Sequence, residues 1–323
     1  MDVLRAVTPL AEARASDFAQ CLLDGLSRTP KDIPCKYFYD EEGSRLFDAI
    51  CGLPEYYQTR TETALLARHA DEIARLIGRD AEIVEFGAGS LKKARLLLEA
   101  ARARGYTPID ISGDYLMAVT QELAAHYPNL ALRPLVADFT AALSLPPLAG
   151  ARARAGFFPG STIGNFRPDA AAGLLRRMQA SLKGANRDCK GLLIGVDLVK
   201  DPARLHAAYN DAAGVTARFN KNLLARANRE LGADFDLDGF DHYAPYNPAA
   251  RRIEMYLVSR KHQSATIRGR RLDFAAGEAV HTEDSHKYTV EGFAALAGRA
   301  GWRLAREWRD SDDFFMLAWL EPL

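Results

Sequence analysis

Residues 81–90 read A-E-I-V-E-F-G-A-G-S, an apolar-rich run from Ala81 to Phe86 that stops at Gly87-Ala88-Gly89. A short run of this kind bounded by glycines predicts a buried strand, and the glycines let the backbone turn sharply and approach a ligand closely. The next stretch, L-K-K-A-R-L-L-L-E-A-A-R-A-R-G, has helical periodicity. The pattern then recurs downstream. Tyr106 to Ser112 predicts a second strand carrying Asp110 near its end, and Tyr115 to His126 a helix. A third strand, Leu132 to Val136, runs into Ala137-Asp138-Phe139. A fourth, Ala155 to Phe158, is followed by P-G-S-T-I-G-N-F and a helix through Asp169 to Leu182, and a fifth runs from Gly191 to Val199. Strands alternating with helices imply right-handed βαβ units and a parallel sheet covered on both faces. After a helix from Val290 to Ala300, the segments W-R-L-A-R-E-W-R-D and F-F-M-L-A-W-L-E flank Ser311-Asp312-Asp313 and predict an antiparallel hairpin at the sheet edge. The fold class expected is α/β with a Rossmann-like sheet closed by that hairpin.

Outside this core the pattern differs. Helical periodicity marks Ala11 to Arg28 and Glu62 to Gly78. Between them K-D-I-P-C-K-Y-F-Y-D-E-E-G-S-R-L-F-D-A-I-C-G-L-P-E-Y-Y-Q-T-R-T-E reads as loop-rich, and Tyr37, Phe38, Tyr39, Tyr56 and Tyr57 suggest a lid or pocket wall. Asp201-Pro202 opens a single long helix, with apolar residues from Leu205 through Phe219 to Leu231 recurring every three or four positions until Gly232. Asp234 to Glu278 looks β-rich, with a hairpin about Gly269. The expected organisation is an α/β domain from 61–199 and 286–323, and a discontinuous second domain from 1–60 and 200–285.

The chain has 323 residues, with 42 lysines and arginines against 42 aspartates and glutamates. Zero formal net charge argues against a general nucleic-acid binder, which needs a clustered basic excess. At 48% hydrophobic and 26% charged, the composition is that of an ordinary globular protein. The longest apolar run, around Leu192 to Val199, is interrupted by Asp197 and is far shorter than a membrane span. The first fifteen residues contain acids and arginines and no hydrophobic signal core. Cys21, Cys35, Cys51 and Cys189 show neither C-x-x-C spacing nor a zinc pattern, and read as free thiols of a reducing compartment. A cytoplasmic, metal-free monomer without a membrane or nucleic-acid partner is expected.

In an open α/β sheet the ligand sits beyond the carboxyl ends of the strands. Three features collect at that edge. Gly87 and Gly89 end the first strand. Asp110, about 20 residues further on, can accept bonds from ribose hydroxyls. At the third strand, Asp138 can bond an exocyclic amine while Phe139 stacks on a base. A dinucleotide fingerprint needs a third glycine where Lys92 stands. S-adenosylmethionine needs the same turn and ribose acid but has no pyrophosphate to seat, and the closing hairpin also favours a methyltransferase.

Seven blocks carry a resemblance: K-Y-F-Y-D-E-E-G-S-R-L-F-D-A-I, L-P-E-Y-Y-Q-T-R-T-E, E-F-G-A-G-S-L-K-K-A-R, F-F-P-G-S-T-I-G-N-F, A-A-Y-N-D-A-A-G-V-T-A-R-F-N, R-I-E-M and H-T-E-D-S-H-K-Y-T. In this order they resemble the motifs of the ergothioneine-pathway histidine Nα-methyltransferases, from about residue 30 to the C-terminus. The resemblance implies S-adenosylmethionine as cofactor and a small amino-acid substrate, L-histidine, converted to the trimethylated betaine hercynine. It also implies a second, substrate-binding domain.

Residue by residue, the resemblance implies that Asn165 orients the substrate amino group beside Gly160, and that Tyr56 and Tyr209 bind its carboxylate. Glu283 and Ser285, two residues apart in an extended segment and so on one face, are implied to hold the imidazole ring. Met255 is implied to pack near that ring, and Tyr39 to face the cofactor and the methylated nitrogen. Lys93 or Arg95, after the glycine turn, would reach the cofactor carboxylate. Asp284, His286 and Ser112 depart from the pattern, His286 with the capacity to add a polar group near the ring. The other histidines, His69, His126, His206, His242 and His262, are placed on the surface by default. Competing readings are the same chemistry on another amino acid or a tryptophan-derived amine, a nucleotide-dependent oxidoreductase, and a non-catalytic binding protein.

Overall fold

The computed structural model describes residues 7–151, 153–183 and 188–323, with 7–16 described by backbone alone. Residues 1–6, on which the absence of a signal core partly rests, lie outside the described residues. The chain divides into two compact units, one of Met1–Glu55, Leu205–Asn247 and Ile253–Asp284, the other of Tyr56–Arg204, Pro248–Arg252 and Ser285–Leu323.

The larger unit is built on strands β1 (Glu82–Phe86), β2 (Gly105–Asp110), β3 (Ala131–Leu132), β4 (Ala153–Phe158), β5 (Asp188–Asp197), β6 (Trp302–Arg309) and β7 (Phe315–Pro322). Their order across the sheet is β6-β7-β5-β4-β1-β2-β3. Neighbours from β3 to β5 are parallel, whereas β7 runs antiparallel between β5 and β6. The chain therefore winds outward from β1 to β3, returns to β4 beside β1, and winds out the other way. The crevice at that reversal lies beyond the carboxyl ends of β1 and β4.

Alternate side chains feed two cores. Val84, Phe158 and Ile194 pack with Met178, Phe293 and Trp302 on one face, and Ile83, Phe157 and Leu193 pack with Leu66, Leu97 and Trp319 on the other. Apolar side chains on both faces are what a parallel sheet covered by helices demands. The third strand is split. Arg133-Pro134 separates β3 from a second short strand, Leu135–Val136, and both pair with β2. Proline has no N–H to donate to a ladder, and the Arg133 guanidinium turns to Glu82.

The smaller unit carries a sheet ordered Lys31–Asp32, Ala279–His286, Arg252–Ser259, Phe240–Tyr243, with Tyr246–Asn247 beside Arg252–Ser259. The hairpin expected about Gly269 is present: Gln263–Ile267 pairs with Arg270–Phe274 through Arg268 and Gly269, both at positive φ. Two expectations are corrected. The segment read as loop-rich contains a helix, Glu41–Cys51, whose N-cap Asp40 accepts from the Gly43 N–H at 2.7 Å. The single long helix is two, Pro202–Tyr209 and Val215–Leu231. Asp211 breaks it, accepting from the N–H groups of Val215 and Thr216 at 2.8 Å each, and so starts a new helix. The apolar period runs across the break unaltered, which is why sequence alone reads one helix.

At the amino end of the sheet, away from the crevice, Glu82 is fully buried. It accepts from Arg154 Nε at 2.9 Å and Thr107 Oγ1 at 2.8 Å, as well as from Arg133. Burial alone would raise its pKa, but these donors outweigh that and hold the carboxyl below its usual range. Arg154→Met removes a buried partner and is expected to cost about 3–5 kcal/mol in urea unfolding, with Arg154→Met/Glu82→Met costing less because no buried charge is left unpaired.

Candidate active site

The glycine turn after β1 has the geometry a close ligand requires. Gly87 sits at φ +74°, and a Cβ there would lie 3.3 Å from the Phe139 ring. A Cβ at Gly89 would meet nothing within 4 Å, so the turn opens onto space. Asp110 Oδ1 accepts from the Ser112 N–H at 2.8 Å, and Asp138 Oδ1 accepts from the Thr140 N–H at 2.9 Å, which fixes how each carboxylate faces. Phe139 meets Phe158 edge-on, with centroids 5.5 Å apart. A bare turn, two oriented carboxylates on adjacent strand ends and an aromatic ring beside the turn suit a nucleoside with a short polar tail. S-adenosylmethionine fits this donor set. Glu85, just before the turn, is buried and accepts from the Tyr106 hydroxyl. Burial outweighs that bond and pushes its carboxyl up to about 8.

The loop after β4 is tightly constrained. Gly160 (φ +80°) and Ser161 (φ +56°) are both left-handed, and Ser161 bears the strain of a side chain in that region. Fully buried Glu62, on helix Tyr57–Ile77, accepts from the Gly160 N–H at 2.9–3.0 Å and pairs with Lys93. Asn165 ends the 3₁₀ turn Thr162–Asn165. Gly164 precedes it, where a Cβ would come 2.7 Å from the His286 carbonyl oxygen. The His286 ring uses Nδ1 to donate to the Gly164 carbonyl at 2.9 Å. His286 thus anchors the loop that carries Asn165, and Asp284 pairs with His281 Nε2 at 3.0 Å.

Asp197, at the carboxyl end of β5, is another fully buried carboxylate. It accepts from Tyr57 Oη at 2.8 Å, Lys200 Nζ at 2.5 Å and Lys287 Nζ at 2.8 Å, while its N–H donates to Ser161 Oγ at 2.9 Å. Lys287 Nζ also donates to Ser285 Oγ at 2.8 Å. The loop that carries Asn165 is therefore bonded to Glu62 through Gly160, to Asp197 through Ser161 and to His286 through Gly164, and Ser285 joins it through Lys287 and Asp197. Sequence reading gives no role to Glu62, Asp197 or Lys287, and gives His286 only the capacity to add a polar group near the ring. In the sequence Glu62 opens a stretch of helical periodicity and Asp197 interrupts an apolar run. Tyr56 is buried in the same unit, immediately before Tyr57.

In the smaller unit a separate hydrogen-bonded chain links the remaining candidates. The Tyr209 carbonyl accepts from His242 Nε2 at 2.8 Å, and His242 Nδ1 accepts from Asn220 Nδ2 at 2.9 Å. Asn220 Oδ1 accepts from Thr282 Oγ1 at 2.8 Å, and Thr282 Oγ1 lies 3.1 Å from the Met255 carbonyl oxygen. Tyr209, Met255 and Glu283, next to Thr282, are all buried. His242 is thus a half-buried connector, not the surface residue expected, and burial lowers its pKa. Tyr39 meets Phe47 and Phe219 edge-on at 5.7 and 5.8 Å.

The Asp197 cluster sets a pH dependence. Burial pushes the Lys200 ammonium down to about 8, against the pull of Asp197. From there up to its ordinary 10.5 the unfolded chain binds the extra proton, so stability attributable to Lys200 rises with pH across that window. The unfolding free energy of wild type minus that of Lys200→Met is expected to increase from pH 7.5 to 9.5. A flat difference would contradict the depressed value.

No helix among the described residues is long and apolar enough to cross a membrane. Residues 18–322 match the family model described as histidine-specific methyltransferase, SAM-dependent. Curated histidine N-alpha-methyltransferases from Mycolicibacterium smegmatis and Mycobacterium tuberculosis are 41% and 42% identical, over 95% and 91% of this chain and 96% and 91% of theirs. Ergothioneine biosynthesis protein 1 from Neurospora crassa is 30% identical over 88% of this chain and 32% of its own length. A glycine turn and two strand-end carboxylates that fit a nucleoside, and a match along nearly the whole chain, lead to one conclusion: this protein belongs to the family of histidine-specific, S-adenosylmethionine-dependent methyltransferases.

Proposed function

We propose that this protein transfers three methyl groups in succession to the α-amino nitrogen of L-histidine, giving hercynine for ergothioneine biosynthesis. The observation that carries the substrate assignment is the pair Glu283 and Ser285, both buried and two residues apart on strand Ala279–His286. A buried carboxylate and a hydroxyl on one strand face match the two nitrogens of an imidazole. A tryptophan-derived ring, with a single N–H and no ring acceptor, can bond only one of these two groups, which costs binding.

S-adenosylmethionine, when bound, supplies a methyl group on a positively charged sulfur. Gly87 and Gly89 would admit its backbone-facing edge, Asp110 its ribose, and Asp138 with Phe139 its base, with Lys93 near its carboxylate. The chain's remaining work is orientation of an unprotonated amine. Asn165 would hold that amine from the constrained loop beside Gly160, Tyr56 and Tyr209 would hold the carboxylate, Met255 would pack on the ring, and Tyr39 would line the path of the methyl group. The placement of Asn165 is fixed by Gly164 and His286 before substrate arrives, so little ordering entropy remains to be lost on binding. We read the protein as a cytoplasmic monomer, in keeping with its four free cysteines.

The test incubates the protein with S-adenosylmethionine and an equimolar mixture of the twenty amino acids. Histidine products heavier by one, two and three methyl groups are expected by mass spectrometry, and methylation of a different amino acid would overturn the substrate. Glu283→Ala is expected to raise KM for histidine by a factor corresponding to about 1.5–3 kcal/mol, the loss of a charge-assisted hydrogen bond. Asp110→Ala should weaken S-adenosylmethionine in a calorimetric titration while leaving amino-acid preference intact. Unchanged cofactor affinity would remove Asp110 from the ribose.

A further inference from the structure

Ser285 has one of its two acceptor positions filled from within the fold. Its Oγ accepts from Lys287 Nζ at 2.8 Å, and an ammonium can only donate. The serine's own proton must therefore point elsewhere. Lys287 is itself immobilised: its side chain is fully buried, and Nζ sits 2.8 Å from Asp197. Asp197 is held in turn by Tyr57 and by the backbone bond to Ser161. Two ammoniums, Lys200 and Lys287, share the Asp197 carboxylate, and Asp310 also attracts Lys200.

An imidazole can meet a carboxylate and a hydroxyl in two ways. As imidazolium it offers two N–H groups, and both protein oxygens must accept. As neutral imidazole it offers one N–H, which the carboxylate accepts, and one lone pair, which needs a donor. An imidazolium N–H arriving on Ser285 Oγ would bring a second cation to an oxygen already bonded to an ammonium. Resting on the histidine reading above, we propose that Lys287, anchored by Asp197, is a positioning residue that makes Ser285 a hydrogen-bond donor and restricts the site to the neutral imidazole in a single tautomer. Glu283 accepts from the ring N–H and Ser285 donates to the other nitrogen. The assignment gives Lys287 a role in choosing the substrate's protonation state without touching it.

The test is a double-variant cycle on the full chain with saturating S-adenosylmethionine, after wild type is shown to methylate histidine. Ser285→Ala and Lys287→Met are each expected to raise KM for histidine about tenfold, with kcat within about threefold of wild type. The double variant should be no worse than Ser285→Ala, because the lysine acts through the serine. A double variant about a hundredfold worse would overturn that coupling while leaving histidine as substrate. An unchanged KM in Ser285→Ala would remove Ser285 from the ring altogether.

Pyrrol-2-ylalanine and pyrrol-3-ylalanine provide a second arm that does not depend on Lys287→Met folding, because each ring carries one N–H, at one or the other of the histidine nitrogen positions, and no in-plane lone pair. As inhibitors of histidine methylation, the isomer whose N–H meets Glu283 is expected to be the tighter of the two and to bind wild type and Ser285→Ala equally. A tighter isomer whose Ki weakens in Ser285→Ala by the loss seen for histidine would mean that the serine accepts, and would overturn the proposal.

Discussion

The carboxylate of Asp197, buried with two lysine ammoniums around it, is the constraint on which the larger unit's working edge depends. Burying an ion is costly unless its partners are held in good geometry, and breaking such a group leaves an uncompensated charge. Here the geometry is supplied from several parts of the chain: Tyr57 from the start of a helix, Ser161 from the loop after β4, Lys200 just beyond β5 and Lys287 just beyond strand Ala279–His286. Satisfying one carboxylate therefore fixes the relative positions of four segments. The net pull of the two lysines is strong enough to keep the Asp197 carboxyl below its usual range, although burial alone would raise it.

Glu62 does for the neighbouring side of the crevice what Asp197 does for this one. It takes the Gly160 N–H and the Lys93 ammonium, so the strained Gly160-Ser161 turn is held from two directions. A Cβ at Gly195 would collide with Glu62 Oε1 at 2.1 Å, so the bare backbone of β5 is part of how this acid is accommodated. Strain of this kind persists only where the surroundings over-determine it. What it yields is a loop whose Asn165 is already placed, in a reaction for which orientation is the main contribution a protein can make.

The sheet was readable because its signals are local. Ala81 to Gly89, the acids at Asp110 and Asp138 and the Ser311-Asp312-Asp313 turn each depend on residues a few positions apart, and together they give the alternation of strands and helices, the edge where a cofactor is expected and the closing hairpin. The break at Asp211 was not readable, because the apolar period of one helix continues into the next. Nor were Glu62, Asp197 and Lys287. Their partners lie far away in sequence, Tyr57 being 140 residues from Asp197, so only the fold reveals that an acid in a helical stretch or a strand interruption is a buried anchor. The roles given to Tyr39, Tyr56, Tyr209 and Met255 came from resemblance, since aromatic and methionine side chains on apolar faces read equally well as core. His242, expected at the surface, proved to be the connector between Tyr209 and Asn220.

The most direct test of the account is a crystal structure with L-histidine and S-adenosylhomocysteine. The expected result places one ring nitrogen within hydrogen-bond distance of Ser285 Oγ and the other on the Glu283 carboxylate, with the α-amino group at Asn165 and Lys287 Nζ still on Ser285. Histidine seated away from Ser285 and Glu283, or Lys287 turned from Asp197 to the ligand, would contradict it.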